Sequence, residues 1–182
     1  MKTPSHILTT ERLILRNWID TDTSAFIAMN KDYEVMKFFP KTLTDSETLE
    51  LLERIKLHFE KNSFGLFAVE SKSTKQFIGF TGFSIPTFNA FFTPCVEIGW
   101  RYKKEVWGQG FATEAALACL RYGFETLGFD KIVSFTSSVN KKSEDVMKRI
   151  GMKFKANFEH PKIETTNILC KHILYEIHST VK

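Results

Sequence analysis

Residues 95–116 constrain this chain more than any other stretch: Cys-Val-Glu-Ile-Gly-Trp, a short basic link, then Val-Trp-Gly-Gln-Gly-Phe-Ala-Thr-Glu-Ala-Ala. Val96, Ile98 and Trp100 alternate with Glu97 and Gly99, which predicts a strand running out into Arg101, Lys103 and Lys104. Gly108 and Gly110 then precede a long helical pattern. In it Glu114, Arg121 and Glu125 fall on one solvent stripe, while Phe111, Ala115, Leu117, Ala118, Leu120, Phe124 and Leu127 fill the rest. Gly128 is placed to stop the helix. The segment reads as strand, tight glycine turn and largely buried helix.

A helix that starts after glycines gathers unpaired backbone N–H groups and the positive end of its dipole. Glycine also lets a phosphate approach without meeting a Cβ. An anion site is one reading, and a tight turn with no ligand is the plainer one. No Gly-Lys-Ser/Thr follows, so this is not a Walker loop, and the third glycine of the dinucleotide fingerprint is missing.

With 182 residues, 43% of them hydrophobic and eighteen of them phenylalanine, the chain suits one domain, residues 1–182, with a strongly aromatic core. A formal charge of +4 spread along the sequence does not argue for nucleic acid. Cys95, Cys119 and Cys170 are odd in number and lack a Cys-x-x-Cys pair, so they read as reduced, buried thiols of a cytoplasmic protein. No apolar core of signal-peptide length stands in residues 1–10. The apolar region 77–92 is broken by Gly, Thr, Ser, Pro and Asn, so no membrane span is expected. No pair of ligating side chains has metal spacing.

Residues 12–16 read as a first strand, 20–30 and 33–38 as short helices before Pro40. Thr44 and Glu47 form a capping box that opens a helix with Leu52, Ile55 and Phe59 on one face. Residues 64–70 and 77–85 alternate as strands, and the loop 86–94 carries Phe88, Phe91 and Phe92 between two prolines. Those rings either cap the core edge, the reading preferred for at least two of them, or line an acceptor site or a dimer contact. A fifth strand at 131–136 precedes a helix at 140–150 with Asn140 as N-cap and Gly151 as stop. Strands at 154–158 and 168–177 close a three-layer α/β domain.

Trp107-Gly108-Gln109-Gly110-Phe111-Ala112 resembles the acyl-CoA pyrophosphate loop of the GNAT acetyltransferase superfamily, whose pattern is Gln/Arg-x-x-Gly-x-Gly/Ala. Gly110 and Ala112 take the small positions, and Trp107 stands where Gln or Arg is usual. The longer run through Thr113, Glu114 and Ala115, preceded by Glu97-Ile98-Gly99-Trp100 and followed by Asn140-x-x-Ser143 and Ile150-Gly151-Met152, is similar to the RimJ/RimL-like branch, relatives of the ribosomal-protein-alanine acetyltransferases. The likeness spans most of the chain, from Arg12 to Tyr175.

That resemblance implies a GNAT-like domain whose sheet is mixed, mostly antiparallel, about seven strands wide and splayed between the fourth and fifth, with helices on both faces. It implies an acetyl-CoA-dependent N-acetyltransferase acting on a primary amine, either a protein N-terminus or a small amine, by direct attack in a ternary complex. A non-catalytic acyl-CoA-binding module of the same fold is the alternative, and a nucleotide-binding domain the third. The cofactor arm is expected along the backbone of Ile98, Gly99 and Trp100, with a backbone N–H near Ile98 facing the oxyanion. The pyrophosphate is expected on the loop from Trp107 through Gly108, Gln109, Gly110, Phe111 and Ala112 to Thr113. Asn140 would bond the pantetheine amide and Ser143 would lie near the sulfur, ahead of Tyr175; a helix cap and a plain first-turn serine are their ordinary readings.

Glu97 is the candidate general base, weighed evenly against an ion pair with Arg101 or Lys103 or a bond to a backbone amide. Glu114 is assigned to the surface. His160 and His172 are within range of an acceptor pocket, although a lone histidine is more often structural. The expected protein is cytoplasmic, a monomer or homodimer, with an amine acceptor as its partner and no metal, nucleic acid or membrane.

Overall fold

Alternating segments of the sequence assemble into one sheet in the computed structural model, which describes residues 8–180. The chain runs β1 (Leu8–Thr9), β2 (Leu13–Arg16), α1 (Thr23–Lys31), α2 (Tyr33–Met36), α3 (Asp45–Asn62), β3 (Leu66–Ser71), β4 (Phe77–Ser84) and β5 (Glu97–Tyr102). It continues through α4 (Phe111–Glu125), β6 (Lys131–Ser137), α5 (Lys141–Arg149), β7 (Lys153–Glu159) and β8 (Lys171–His178). Most of the N-terminal stretch read as free of a signal-peptide core lies outside the described residues.

The strands are ordered β1-β2-β3-β4-β5-β6-β8-β7, and every pair is antiparallel except β5 with β6. Eight strands replace the expected seven because Leu8 and Thr9 pair with Leu15 and Ile14 at the edge. Two residues are too few to show alternation, so the sequence hid them. The expected helix over 20–30 splits for a related reason. Asp22 is drawn into a bidentate pair with Arg16 at 2.8 and 2.9 Å and accepts from the Ile19 amide, so a 3₁₀ turn precedes α1. The last strand starts at Lys171, and Ile168 is left in an exposed turn.

Side-chain alternation gives the sheet two distinct faces. One carries Phe80, Gly82 and Ser84 of β4 opposite Arg101, Gly99 and Glu97 of β5, and α1 covers part of it with Phe26, whose ring stands 6.0 Å from that of Phe80. The other carries Phe83 and Ile132, against which α4 packs through Gly123. Phe26, Phe67 and Phe83 are completely buried; a fully buried phenylalanine contributes roughly 1.5–3 kcal/mol.

The parallel pair is held by one rung, Glu97 opposite Val133, and then opens. Glycines at 128 and 151 terminate the flanking helices with φ of 69° and 88°. Thr44 and Glu47 close the reciprocal cap of α3. Among the described residues no helix is long and apolar enough to cross a membrane.

Candidate active site

A cavity of about 1540 Å³ occupies the gap where β5 and β6 part, well above the roughly 300–1,000 Å³ of an ordinary small-molecule pocket. Its volume suits a long ligand together with a second one. Backbone geometry supplies its edge. Lys103 donates to Ile78 on β4, and alternate residues of a strand direct their peptide groups to alternate sides, so those of Ile98 and Trp100 face β6. Val133 donates to the Val96 carbonyl at 2.9 Å, and the parallel pattern then directs the Ile98 N–H at Val133. The first amide aimed into the opened gap is therefore that of Trp100 rather than the expected Ile98.

At the start of α4 the N-cap is Gly110, with φ of 82° and no side chain capping the first turn. Amides of Phe111, Ala112 and Thr113 stand there beside the cavity. Gly108 has φ of 76°, and a Cβ placed on it would meet nothing within 4 Å, so the loop has an open cradle on that side. Trp107, at the position where Gln or Arg was the expectation, donates its indole N–H to the Tyr102 carbonyl at 3.0 Å and stacks beneath Lys142, whose Nζ is 4.5 Å from the ring. Its role is to fix the loop to the end of β5. Gln109 departs from the others: its side chain turns back to the Glu105 carbonyl and does not line the cavity.

Sequence reasoning missed what clamps this loop. Arg12 donates to Glu114 at 2.7 Å and to the Gln109 carbonyl at 2.9 Å, and lies 4.5 Å from the Phe111 ring. Glu114 also accepts from Thr10 and from the Arg12 amide. It is a tether between α4 and the β1–β2 turn, whereas the stripe assigned it to solvent with Arg121 and Glu125. Leu117, expected in the core, is 46% exposed and lines the cavity.

Glu97 lies deep in the cleft with part of its surface open to the cavity. Ser84 Oγ donates to it at 3.1 Å, and none of the ion pairs among the described residues includes it, so the expected alternatives through Arg101 or Lys103 do not occur. Burial pushes its pKa up to about 7, against a smaller lowering by Ser84. Such a carboxylate exchanges its proton near neutrality.

Asn140 caps α5: its oxygen accepts from the Ser143 amide at 3.4 Å, and its Nδ2 donates to Thr136 at 3.0 Å and to Ser143 Oγ at 3.1 Å. Ser143 Oγ thus accepts from Asn140, and both residues line the cavity. Tyr175 donates to Glu144 at 2.9 Å and does not line the cavity.

His160 and His172 do line it, with ring centroids 4.9 Å apart. Burial, then His172 and Lys162, lowers the pKa of His160 to about 4, and burial lowers that of His172. His160 Nδ1 accepts from the Lys162 amide, so the neutral ring carries its proton on Nε2. Phe88 and Phe92 pack on Phe135, forming an aromatic wall behind the histidines, while Phe91 is 67% exposed. Among the described residues no group of three or more His, Cys, Asp or Glu side chains is placed to hold a metal.

A family model described as acetyltransferase (GNAT) domain matches residues 12–153. The protein YkkB of Bacillus subtilis strain 168 is 32% identical over 81% of this chain and 85% of its own length. The uncharacterized N-acetyltransferase YnaD of the same organism is 29% identical over 84% of this chain and 85% of its own. The crystal structure of a GNAT-family acetyltransferase from Bacillus anthracis superposes with a TM-score of 0.78 at 25% identity, covering 95% of this chain and 98% of that one.

Proposed function

The chain belongs to the GNAT acetyltransferase family and is an N-acetyltransferase, and from that premise we propose that it transfers acetyl from acetyl-CoA to a primary amine by direct attack, with Glu97 as general base. The observation that carries this reading is the Glu97 carboxylate, set in the floor of the cavity with one hydroxyl partner and a pKa of about 7.

Acetyl-CoA supplies an activated acetyl thioester to the family. The residues present fit it: an uncapped helix start beside two glycines for the diphosphate, an opened strand edge at Trp100 for the pantetheine arm, and Lys141, Lys142 and Arg149 along the cavity for its negative charge. Glu97 accepts the proton that the amine releases, directly or through one water, while the amine nitrogen bonds to the acetyl carbon and the carbon–sulfur bond breaks. The Trp100 N–H donates to the acetyl oxygen as negative charge develops there. Ser143 donates a hydrogen bond to the departing sulfur. Asn140, already committed to Thr136 and Ser143, acts by holding that serine in place.

Thiol release measured over a panel of amines and peptides, with calorimetry for acetyl-CoA, tests the assignment. Saturable cofactor binding with amine-dependent thiol release is expected. A protein that does not bind acetyl-CoA would overturn it.

A further inference from the structure

Two arginines on the acceptor face of the sheet are treated in opposite ways. Arg16 is 15% exposed and meets two carboxylates, Asp22 at 2.8 Å and Glu70 at 2.9 Å. Arg101 lies deeper, and none of the ion pairs among the described residues includes it. Its Nη1 donates to the side-chain Oδ1 of Asn30 at 2.6 Å, and its Nε is buried with no hydrogen-bond partner. Rings of Phe39 and Phe80 lie 4.2 and 5.3 Å from its guanidinium carbon. Asn30 is itself 0% exposed, so a neutral amide in the core holds a cation in position without neutralising it.

Burying an unpaired charge is strongly unfavourable, and a fold that gives Arg16 two carboxylates leaves Arg101 none. Burial lowers the Arg101 pKa to about 10, which keeps it charged at neutrality. Arg101 lines the same cavity as Glu97. Both residues stand on one face of β5 with Gly99 between them, and a Cβ on Gly99 would meet only Glu97 Oε1, at 3.9 Å. Gly99 therefore places no side chain between them. The cavity lining also carries Glu34 and Lys37, one charge of each sign.

We propose that Arg101 binds a carboxylate on the acceptor, so that the substrate is an amine carrying a carboxylate several bonds away, as in a dipeptide or an ω-amino acid, and not a polyamine or a neutral amine. This rests on Glu97 marking the place of the reacting nitrogen. Four residue steps along the strand separate the two Cα atoms by about 13 Å. Amine and carboxylate on one carbon cannot reach both. A planar fork of N–H donors suits a carboxylate in bidentate contact, and the Phe39 and Phe80 rings hold that fork from its sides.

The test compares matched acceptors that differ only in the anionic group: glycylglycine against glycylglycine amide, and ε-aminocaproate against n-hexylamine, with spermidine as the cationic extreme. Wild-type kcat/KM is expected to favour the acid of each pair by at least about tenfold, and the stronger pair tells peptide from ω-amino acid. In Arg101→Met the ratio falls to about threefold or less. Asn30→Asp supplies an internal carboxylate at the same contact, and the ratio falls in the same way with the arginine still present, which covers failure of the methionine variant to fold. Equal use of acid and amide by the wild type, preference for spermidine, or discrimination that survives a folded variant overturns the proposal. Calorimetry of the same compounds on the CoA-saturated protein separates the two readings. Arg101-dependent binding of the acids without turnover leaves this proposal standing and removes the transferase mechanism; turnover without acid preference does the reverse, and neither one removes both.

Discussion

Glu97 and Ser84 face each other across β5 and β4, and the serine hydroxyl donates to the carboxylate at 3.1 Å where neighbouring cations on the strand do not reach it. A carboxylate in that position is tuned by burial. Because only the ionised form accepts a proton, kcat/KM should rise with pH through an apparent pKa near 7 and level off above it. Glu97→Gln preserves the shape and the contact with Ser84, and should lower the rate by about two to four orders of magnitude at neutral pH, with acetyl-CoA affinity nearly unchanged. A pH–rate profile for both proteins is the measurement. A variant with full activity at every pH would leave Glu97 a structural role.

The same residue makes an opposite prediction for stability. Folding raises the Glu97 pKa from 4.5 to about 7, so the folded state prefers the protonated form. Its stabilising contribution is whole below about pH 4.5 and is lost as pH rises through about 7. Glu97→Gln removes that loss, so its Tm should exceed the wild type's above about pH 7.5 and match it near pH 4, with roughly 2–4 °C for each kcal/mol relieved in a chain of this size. Thermal melts at the two pH values decide it; a variant less stable at the higher pH would contradict the burial argument.

Gly108 separates folding from binding. With φ of 76° and nothing within 4 Å of the point where a Cβ would stand, a substituted residue meets no obstacle at its Cβ and bears the left-handed backbone strain, about 1–2 kcal/mol. Its side chain would, however, stand in the cradle beside the start of α4. Gly108→Leu is expected to lower Tm by a few degrees and to raise the acetyl-CoA Kd by about tenfold or more. Calorimetry beside a thermal melt checks it. Equal cofactor affinity would remove the diphosphate from this loop.

Gly123 carries a different constraint, since it lies in the last turn of α4 and faces the sheet. An added Cβ would come within 2.8 Å of Phe83 Cζ and 3.0 Å of Ile132 Cδ1. Alanine favours helix by about 1 kcal/mol over glycine, yet overpacking typically costs about 1–3 kcal/mol. Packing wins at a buried contact, so Gly123→Ala should lower Tm and leave the Km for acetyl-CoA unchanged. A rise in Tm would show that α4 shifts freely on the sheet.

What the sequence disclosed was local. The capping box of Thr44 and Glu47, the Asn140 cap, the helix stops at Gly128 and Gly151 and the alternation around Glu97 each depend on residues a few positions apart, and each stands in the structure as its spacing implied. Distant partners were hidden. Arg12 meets Glu114 across 102 positions and Arg101 meets Asn30 across 71; periodicity identifies a polar face without saying what lies against it. Leu117 failed in the converse sense, because an apolar helix position looks the same whether it faces a core or a ligand cavity.

The Arg12–Glu114 tether is where that hidden layer bears on binding. Burial pushes the Glu114 pKa up, but hydrogen bonds from Thr10 and Arg12 outweigh it and hold the carboxyl below its ordinary value. The tether is therefore present above the usual carboxylate range and is lost as pH falls through the lowered value. Glu114→Ala frees Arg12 from its carboxylate and leaves the Gln109 carbonyl with a mobile partner, so the glycine loop loses the contact that fixes its approach to α4. The chemistry at Glu97 is untouched by that change. The expected result is a Km for acetyl-CoA raised by roughly three- to tenfold, as for loss of a charge-assisted hydrogen bond, with kcat and the acceptor Km close to wild type. Arg12→Ala should do the same, and the double variant should show less than the product of the single effects, because both remove one interaction. Fully multiplicative losses would mean that Arg12 and Glu114 act on the cofactor separately.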